Sequence, residues 1–142
     1  MKKRNGFTMI ELVFVIVVLG ILSAIAIPRL VATRDDAQVA KGRSDVSAVR
    51  SGIVSERQTR LLQGQSNYTA ALEDSGEPLF SNVMLYGIQT ENANGHWRKS
   101  GSSYIFKIMN TDVSFDYNAS TGTFSCTRGE TTAGELCKDL ID

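Results

Sequence analysis

The chain has 142 residues, with fifteen basic and fifteen acidic side chains, one histidine and two cysteines, and its formal charge is zero. That length leaves room for one compact domain after an N-terminal segment, not two. The balanced charge argues against a general nucleic-acid binder, and the single histidine, His96, leaves a nucleophilic triad or a histidine-rich metal site little to build on.

The first element is FTMIELVFVIVVLGILSAIAI, Phe7 to Ile27, a run of about 21 residues between the basic leader MKKRNG and Pro28-Arg29. At about 1.5 Å per residue it rises roughly 31 Å as a helix, which matches the hydrocarbon core of a bilayer. Its one ionisable group is Glu11. A carboxylate on a lipid-facing helix costs roughly 2.5–3.5 kcal/mol, so it calls for a partner. Cutting the chain between Gly6 and Phe7 would create an α-amino group one turn before Glu11, mostly protonated at neutral pH. That amine cannot comfortably reach its own Glu11 along a straight helix, but it can meet the Glu11 of a neighbouring copy shifted by about one turn. A charge pair made between chains at low dielectric sets register as well as contact.

These residues, G-F-T-M-I-E-L-V at positions 6 to 13, resemble the prepilin-type leader of type IV pilins and pseudopilins. The resemblance implies that a prepilin peptidase cuts after Gly6 and methylates Phe7, that Glu11 is the acidic residue used in assembly, and that the mature subunit waits in the inner membrane before joining a helical filament. Gly20 and Pro28 fall where pilins carry a glycine and a proline, at the stretch of helix often melted inside filaments. The match covers about the first 30 residues. Two other readings fit the same run: a secretory signal peptide, since Ala24-Ile25-Ala26 has an A-x-A pattern, and a plain single-pass anchor with Glu11 near the headgroups.

Lys2, Lys3 and Arg4 ahead of the span predict a cytoplasmic N-terminus, with everything after Pro28 on the periplasmic side. Without the leader, twelve basic side chains face fifteen acidic ones, a net charge of about −3. The inferred compartment permits disulfides, and Cys126 and Cys137 can pair in only one way within the chain; two unpaired thiols are the alternative.

From Arg29 to about Gln63 the same helix is expected to continue, with Gly64 as its stop. Gly42 and Gly52 weaken it by up to about 1 kcal/mol each. Val39, Val46, Val49, Ile53 and Leu61 form an apolar stripe while charged residues fill the other faces, so this half should lie against a globular partner in the same chain. Gln65 to Pro78 reads as a polar loop with a short helix near Tyr68 to Leu72, Leu79 to Gln89 as a buried segment of undecided type, and Glu91 to Gly101 as loop. Tyr104 to Met109, Val113 to Tyr117 and Thr123 to Thr127 read as a three-stranded antiparallel meander, with connections at Asn110 to Asp112 and Asn118 to Gly122. Its natural cover is Val46, Val49 and Ile53. The last loop, TRGETTAGEL, is too polar to hold a shape by burial, and a bridge across it should contribute on the order of 3 kcal/mol. It resembles the C-terminal disulfide region of many type IV pilins.

The fold expected is therefore α+β and pilin-like: leader 1–6, membrane and assembly half-helix 7–28, amphipathic half-helix 29–64, and a globular head 65–142 with an αβ-loop, a small antiparallel sheet and a disulfide-bounded C-terminal loop. No G-x-S-x-G, P-loop, C-x-x-C or dinucleotide-binding glycine pattern occurs, so neither enzyme chemistry nor a cofactor is expected. His96-Trp97-Arg98-Lys99 could stack on and neutralise single-stranded DNA; more often such a cluster is a loop with its tryptophan tucked against the sheet. Asp112 with Asp116, or Asp139 with Asp142, lack an ordered calcium-ligand spacing and read as solvated carboxylates, so no metal is expected. Asp116-Tyr117-Asn118-Ala119-Ser120 resembles an extended bacterial N-glycosylation acceptor at Asn118, but an Asp/Asn-rich hairpin turn explains the same residues without a glycan and is the preferred reading. The function expected is a filament subunit in one of three settings: a surface pilus, a type II secretion system or a DNA-uptake machine. Its partners would be copies of itself, minor pilins or pseudopilins, the prepilin peptidase, an inner-membrane assembly platform and lipid before assembly. A membrane-tethered binding domain that forms no polymer is the contrasting class.

Overall fold

The computed structural model describes residues 6–142, and for residues 27–32 the backbone alone. The chain divides into two units, Met1–Arg34 and Asp35–Asp142. Helix α1, Met9–Leu62, runs from the first into the second without interruption at Gly20 or Pro28. It ends as its glycine demands. Gly64 takes φ of 80°, Gly64 N–H donates to the Leu61 carbonyl at 3.0 Å and Gln65 N–H to that of Arg60 at 2.8 Å, the paired bonds of a Schellman cap.

In the second unit α1 lies against a four-stranded antiparallel sheet with strand order β1-β2-β3-β4: β1 His96–Ser100, β2 Ser103–Ile108, β3 Thr111–Asn118 and β4 Thr123–Cys126. The expected meander is β2 to β4. The segment read as loop supplies one strand more. HWRKS hides there because its only buried residue is Trp97, so no alternation is visible at the edge of the sheet. The β2–β3 turn is also tighter than expected. Ile108 pairs with Thr111, leaving Met109 and Asn110 at φ of 49° and 60°, the two left-handed positions of a type I′ hairpin.

One face of the sheet alternates inward as Tyr104, Phe106 and Ile108 on β2, Val113 and Phe115 on β3, and Phe124 on β4. These pack with Val46, Val49 and Ile53 of α1, all buried, and Val39 borders the same core. Leu61 does not join: the step of eight from Ile53 turns it about 80° off the stripe, and it is 48% exposed. Residues 65–95 carry no helix, the short one expected near Tyr68 included. This loop is tied instead by a bridge between Leu79 and Ile88, and it drops Leu72, Leu79 and Phe80 into the core.

The C-terminal loop expectation is corrected as well. Helix α2, Thr132–Ile141, begins at Thr131, whose hydroxyl accepts from Gly134 N–H at 3.1 Å, and it buries Leu136, Cys137 and Leu140. Burial therefore holds this segment as well as the Cys126–Cys137 disulfide, whose Cα atoms are 5.9 Å apart.

The two helix glycines have packing reasons. A Cβ at Gly42 would meet side-chain ends of Leu140 and Phe106 at 2.5 Å, whereas one at Gly52 would lie 2.1 Å from the backbone carbonyl oxygen of Val83. Gly52→Ala should gain about 1 kcal/mol of helix propensity and lose more, since overpacking costs roughly 1–3 kcal/mol and a backbone carbonyl cannot rotate aside. The expected result is a net loss of about 1 kcal/mol, read as a melting temperature lower by about 5 °C. A rise would show that the loop yields freely.

Candidate assembly site

The first helical turn explains Glu11 in a way its charge alone did not suggest. Thr8 stands before Met9 as the N-cap, and its hydroxyl accepts from Glu11 N–H at 3.3 Å. In return Glu11 Oε2 accepts from Thr8 N–H at 3.0 Å and from the Thr8 hydroxyl at 2.9 Å. This is a reciprocal capping box, and its signature, Thr-x-x-Glu, is legible in T-M-I-E. The carboxylate thus already has a local partner in the uncut chain. Gly6 and Phe7 precede the helix in extended or irregular backbone, both exposed, with Phe7 at 84%. The remainder of the leader, residues 1–5, lies outside the described residues. From Met9 to Ile25 large apolar side chains stand exposed on the sides of α1. Within Met9–Ala26 the helix is long and apolar enough to cross a membrane. An apolar surface of this extent needs lipid or other helices to cover it.

The head disperses the other candidates. Trp97 is fully buried among Phe80, Phe106, Phe115 and Phe124, with ring centroids 5.0–6.1 Å away, and its indole N–H donates to Asp45 Oδ2 at 3.0 Å. The stacking expectation fails for this ring, because a buried face cannot receive a base. Arg98 of β1 reaches over β2 to pair with Asp112 of β3 at 2.6 Å, and Lys99 pairs with the buried carboxylate of Glu73. Both cations that would have faced DNA are therefore engaged within the head. Asp116 accepts from the Ser103 hydroxyl at 2.6 Å and Asp142 from Arg128 at 2.6 Å. Among the described residues no three potential ligands gather for a metal ion. Asn118 is exposed where β3 ends, and its side-chain oxygen accepts from Ser120 N–H at 2.9 Å, the Asx turn of the hairpin reading.

Residues 1–27 match the family described as Prokaryotic N-terminal methylation motif. Over 127 residues, 89% of this chain and 90% of the relative, the sequence is 35% identical to the type IV narrow pilus major component PilA5 of Thermus thermophilus. The chain belongs to the type IV pilin family. A fimbrial protein of Pseudomonas aeruginosa is 37% identical over 50% of this pilin and 44% of its own length. The type II secretion system core protein G of the same species is 35% identical over 37% of each chain. No solved structure matches. The pilin is accordingly a structural subunit of a type IV pilus or type II secretion filament, not an enzyme, and as a family member it polymerises with pilins and is processed by prepilin peptidase.

Within the pilin head, one buried polar cluster escaped the sequence reading. Glu73 accepts from Lys99, from the Tyr104 phenol at 3.2 Å and from Phe80 N–H at 3.4 Å, and no sequence pattern links residues so far apart. Burial pushes the Tyr104 phenol far above its ordinary 10.0, with the hydrogen bond to Glu73 and the charge of Glu73 acting the same way. Tyr117 rises too, from burial and then from nearby Tyr68. The unfolded chain releases these protons near pH 10 while the folded one keeps them. Their contribution is therefore complete below about pH 10 and is lost progressively as pH climbs through the folded values. Alkaline denaturation should begin above about pH 10, and Tyr104→Phe should flatten that loss; an unchanged slope would refute the assignment.

Proposed function

We propose that this pilin is a subunit of a surface type IV pilus, cut between Gly6 and Phe7, methylated on Phe7 and assembled through Glu11. The observation that carries this reading is the extent of similarity. It runs along nine-tenths of the T. thermophilus pilus component, whereas similarity to the secretion protein G of P. aeruginosa spans only 37% of each chain. The Cys126–Cys137 disulfide leans the same way.

In this reading residues 1–6 are the leader, 7–28 the membrane and assembly half of the helix, 29–64 its amphipathic half and 65–142 the head. The precursor spans the inner membrane once, with the cationic leader in the cytoplasm and the head in the periplasm. An assembly platform then extracts it into a polymer of its own copies, joined by minor pilins, and the helix loosens between Gly20 and Pro28 as the filament forms. Proline has no N–H to donate and glycine has the weakest hold on helical backbone, so this stretch is the cheapest place to release.

The test is the intact mass of the protein recovered from sheared surface filaments. Loss of MKKRNG with gain of one methyl, in filaments that contain this chain, supports the proposal. A mature protein that keeps its first six residues would overturn it. Correct processing without surface filaments, together with loss of a secreted cargo when the chain is deleted, would assign it to a secretion system instead.

A further inference from the structure

The turn that leads into β1 carries a chemical hazard. His96 N–H donates to the Ala93 carbonyl at 3.1 Å, so Asn94 and Gly95 are the central pair of the turn, and Gly95 takes φ of 79°, as the third position of a type II turn requires. The fold thus sets a glycine directly after an asparagine. In Asn-Gly the main chain attacks its own side chain most readily, because glycine has no Cβ to shield its nitrogen. Among residues 7–142 the pair occurs once, the other being Asn5-Gly6 in the leader.

Ring closure needs the Gly95 nitrogen to give up its proton and bond to Asn94 Cγ, expelling Nδ2 as ammonia; water then opens the cyclic imide at either carbonyl, leaving aspartate or isoaspartate. Each group in that step is tied in the folded head. Gly95 N–H donates to the Lys107 carbonyl at 2.7 Å, which holds the proton and fixes the direction of the nitrogen. The Asn94 carboxamide is clasped at both ends by Asn110: its Nδ2 donates to Asn110 Oδ1 at 3.1 Å, and its Oδ1 accepts from Asn110 N–H at 2.9 Å. Lys41 Nζ holds the Gly95 carbonyl from α1 at 2.6 Å. Gly95 is buried, whereas Asn94 is exposed to the water that would complete the reaction.

Lys107 and Asn110 both belong to the end of the β2–β3 hairpin, so lifting that end releases nitrogen and carboxamide together. It is also the costly end to hold. Met109 and Asn110 keep left-handed backbone there, unfavourable for methionine above all, with Met109 N–H donating to Gln38 Oε1 at 3.2 Å.

We infer that Asn94–Gly95 is a latent site of spontaneous deamidation, closed by the end of the β2–β3 hairpin and opened only when that end lifts. The rate in the folded head is then the rate in an open chain multiplied by the fraction of time the hairpin end is open. The consequence falls on β1. Isoaspartate routes the main chain through the former side chain and adds a methylene just before His96 pairs with Lys107. That register cannot survive the longer turn, and β1 carries Trp97, so a change at an exposed asparagine reaches the core.

The test incubates the full, detergent-solubilised chain at mildly alkaline pH, folded and in denaturant, and follows the peptide containing Asn94 for a gain of about 1 Da. In denaturant Asn94 should convert before every other asparagine of residues 7–142, and in the folded chain at least about tenfold more slowly. Asn110→Ala removes the clasp and should speed conversion of the folded chain about three- to tenfold, the worth of one net hydrogen bond. Hydrogen exchange at Gly95 N–H should quicken with it, while the amides of β4 keep their protection. Equal rates in folded and denatured chain, or an unchanged rate in Asn110→Ala, overturn the inference. So does acceleration with an equal loss of protection in β4, since general unfolding and not the hairpin would then be the gate.

Discussion

Glu11→Gln is expected to abolish filaments almost as completely as Glu11→Ala, while both variants insert in the membrane at least as well as the native chain. The comparison matters because Glu11 has two partners to lose. In the uncut chain it closes a capping box with Thr8, and that role needs only a side-chain acceptor, which glutamine supplies. The role proposed in assembly is to meet the new amine of a neighbouring subunit, and that role needs the charge. Losing the cap costs about 1 kcal/mol of local helix, a modest effect on a long helix. Leaving an ammonium group in a low-dielectric core without its counter-charge costs several kcal/mol, enough to reduce assembly by 100-fold or more. Charge should therefore decide the outcome, and neutral glutamine should fail with alanine. Counting filaments by electron microscopy beside a membrane-fraction immunoblot separates the cases. If Glu11→Gln assembles normally and Glu11→Ala does not, the cap is what the residue supplies.

The same residue shows what could be read without a structure. Length and apolarity identify Phe7 to Ile27 because nothing but a membrane or other helices suits such a run. Strands β2 to β4 and the stripe of Val46, Val49 and Ile53 are legible because each repeats a period several times. Features carried by one residue, or by partners far apart, are not. Strand β1 rests on Trp97 alone, and the Glu73 cluster joins positions 26 and 31 residues apart. Gly42 and Gly52 look like defects in a helix until the packed neighbours are known. Helix α2 was obscured by the glycines and polar residues before it, with its apolar side chains crowded into Leu136, Cys137, Leu140 and Ile141. Thr8-x-x-Glu11 is a capping-box signature in its own right, but inside an apolar run its carboxylate reads first as a charge that wants a counter-ion.

Trp97→Ala should destabilise the head more than any other single substitution considered above, by about 3–5 kcal/mol. Such a loss would consume a large part of the roughly 5–15 kcal/mol that holds a domain together, so a melting temperature lower by 10 °C or more is expected. The indole touches rings from the loop, β2, β3 and β4, and its N–H reaches Asp45 on α1, so it joins the sheet to both the loop and the helix. Trp97→Phe keeps most of the ring contacts and removes the hydrogen bond, and should cost only about 1–2 kcal/mol more than a volume-conserving core change. Asp45 does not become an orphan in either variant, because Lys41 remains 3.2 Å from it. Circular dichroism melts of the detergent-solubilised chain distinguish this role from a DNA-stacking one. A surface stacking residue could be replaced by alanine with the melt unchanged and DNA retention lost, whereas a ring that joins loop, sheet and helix takes the cooperative transition with it.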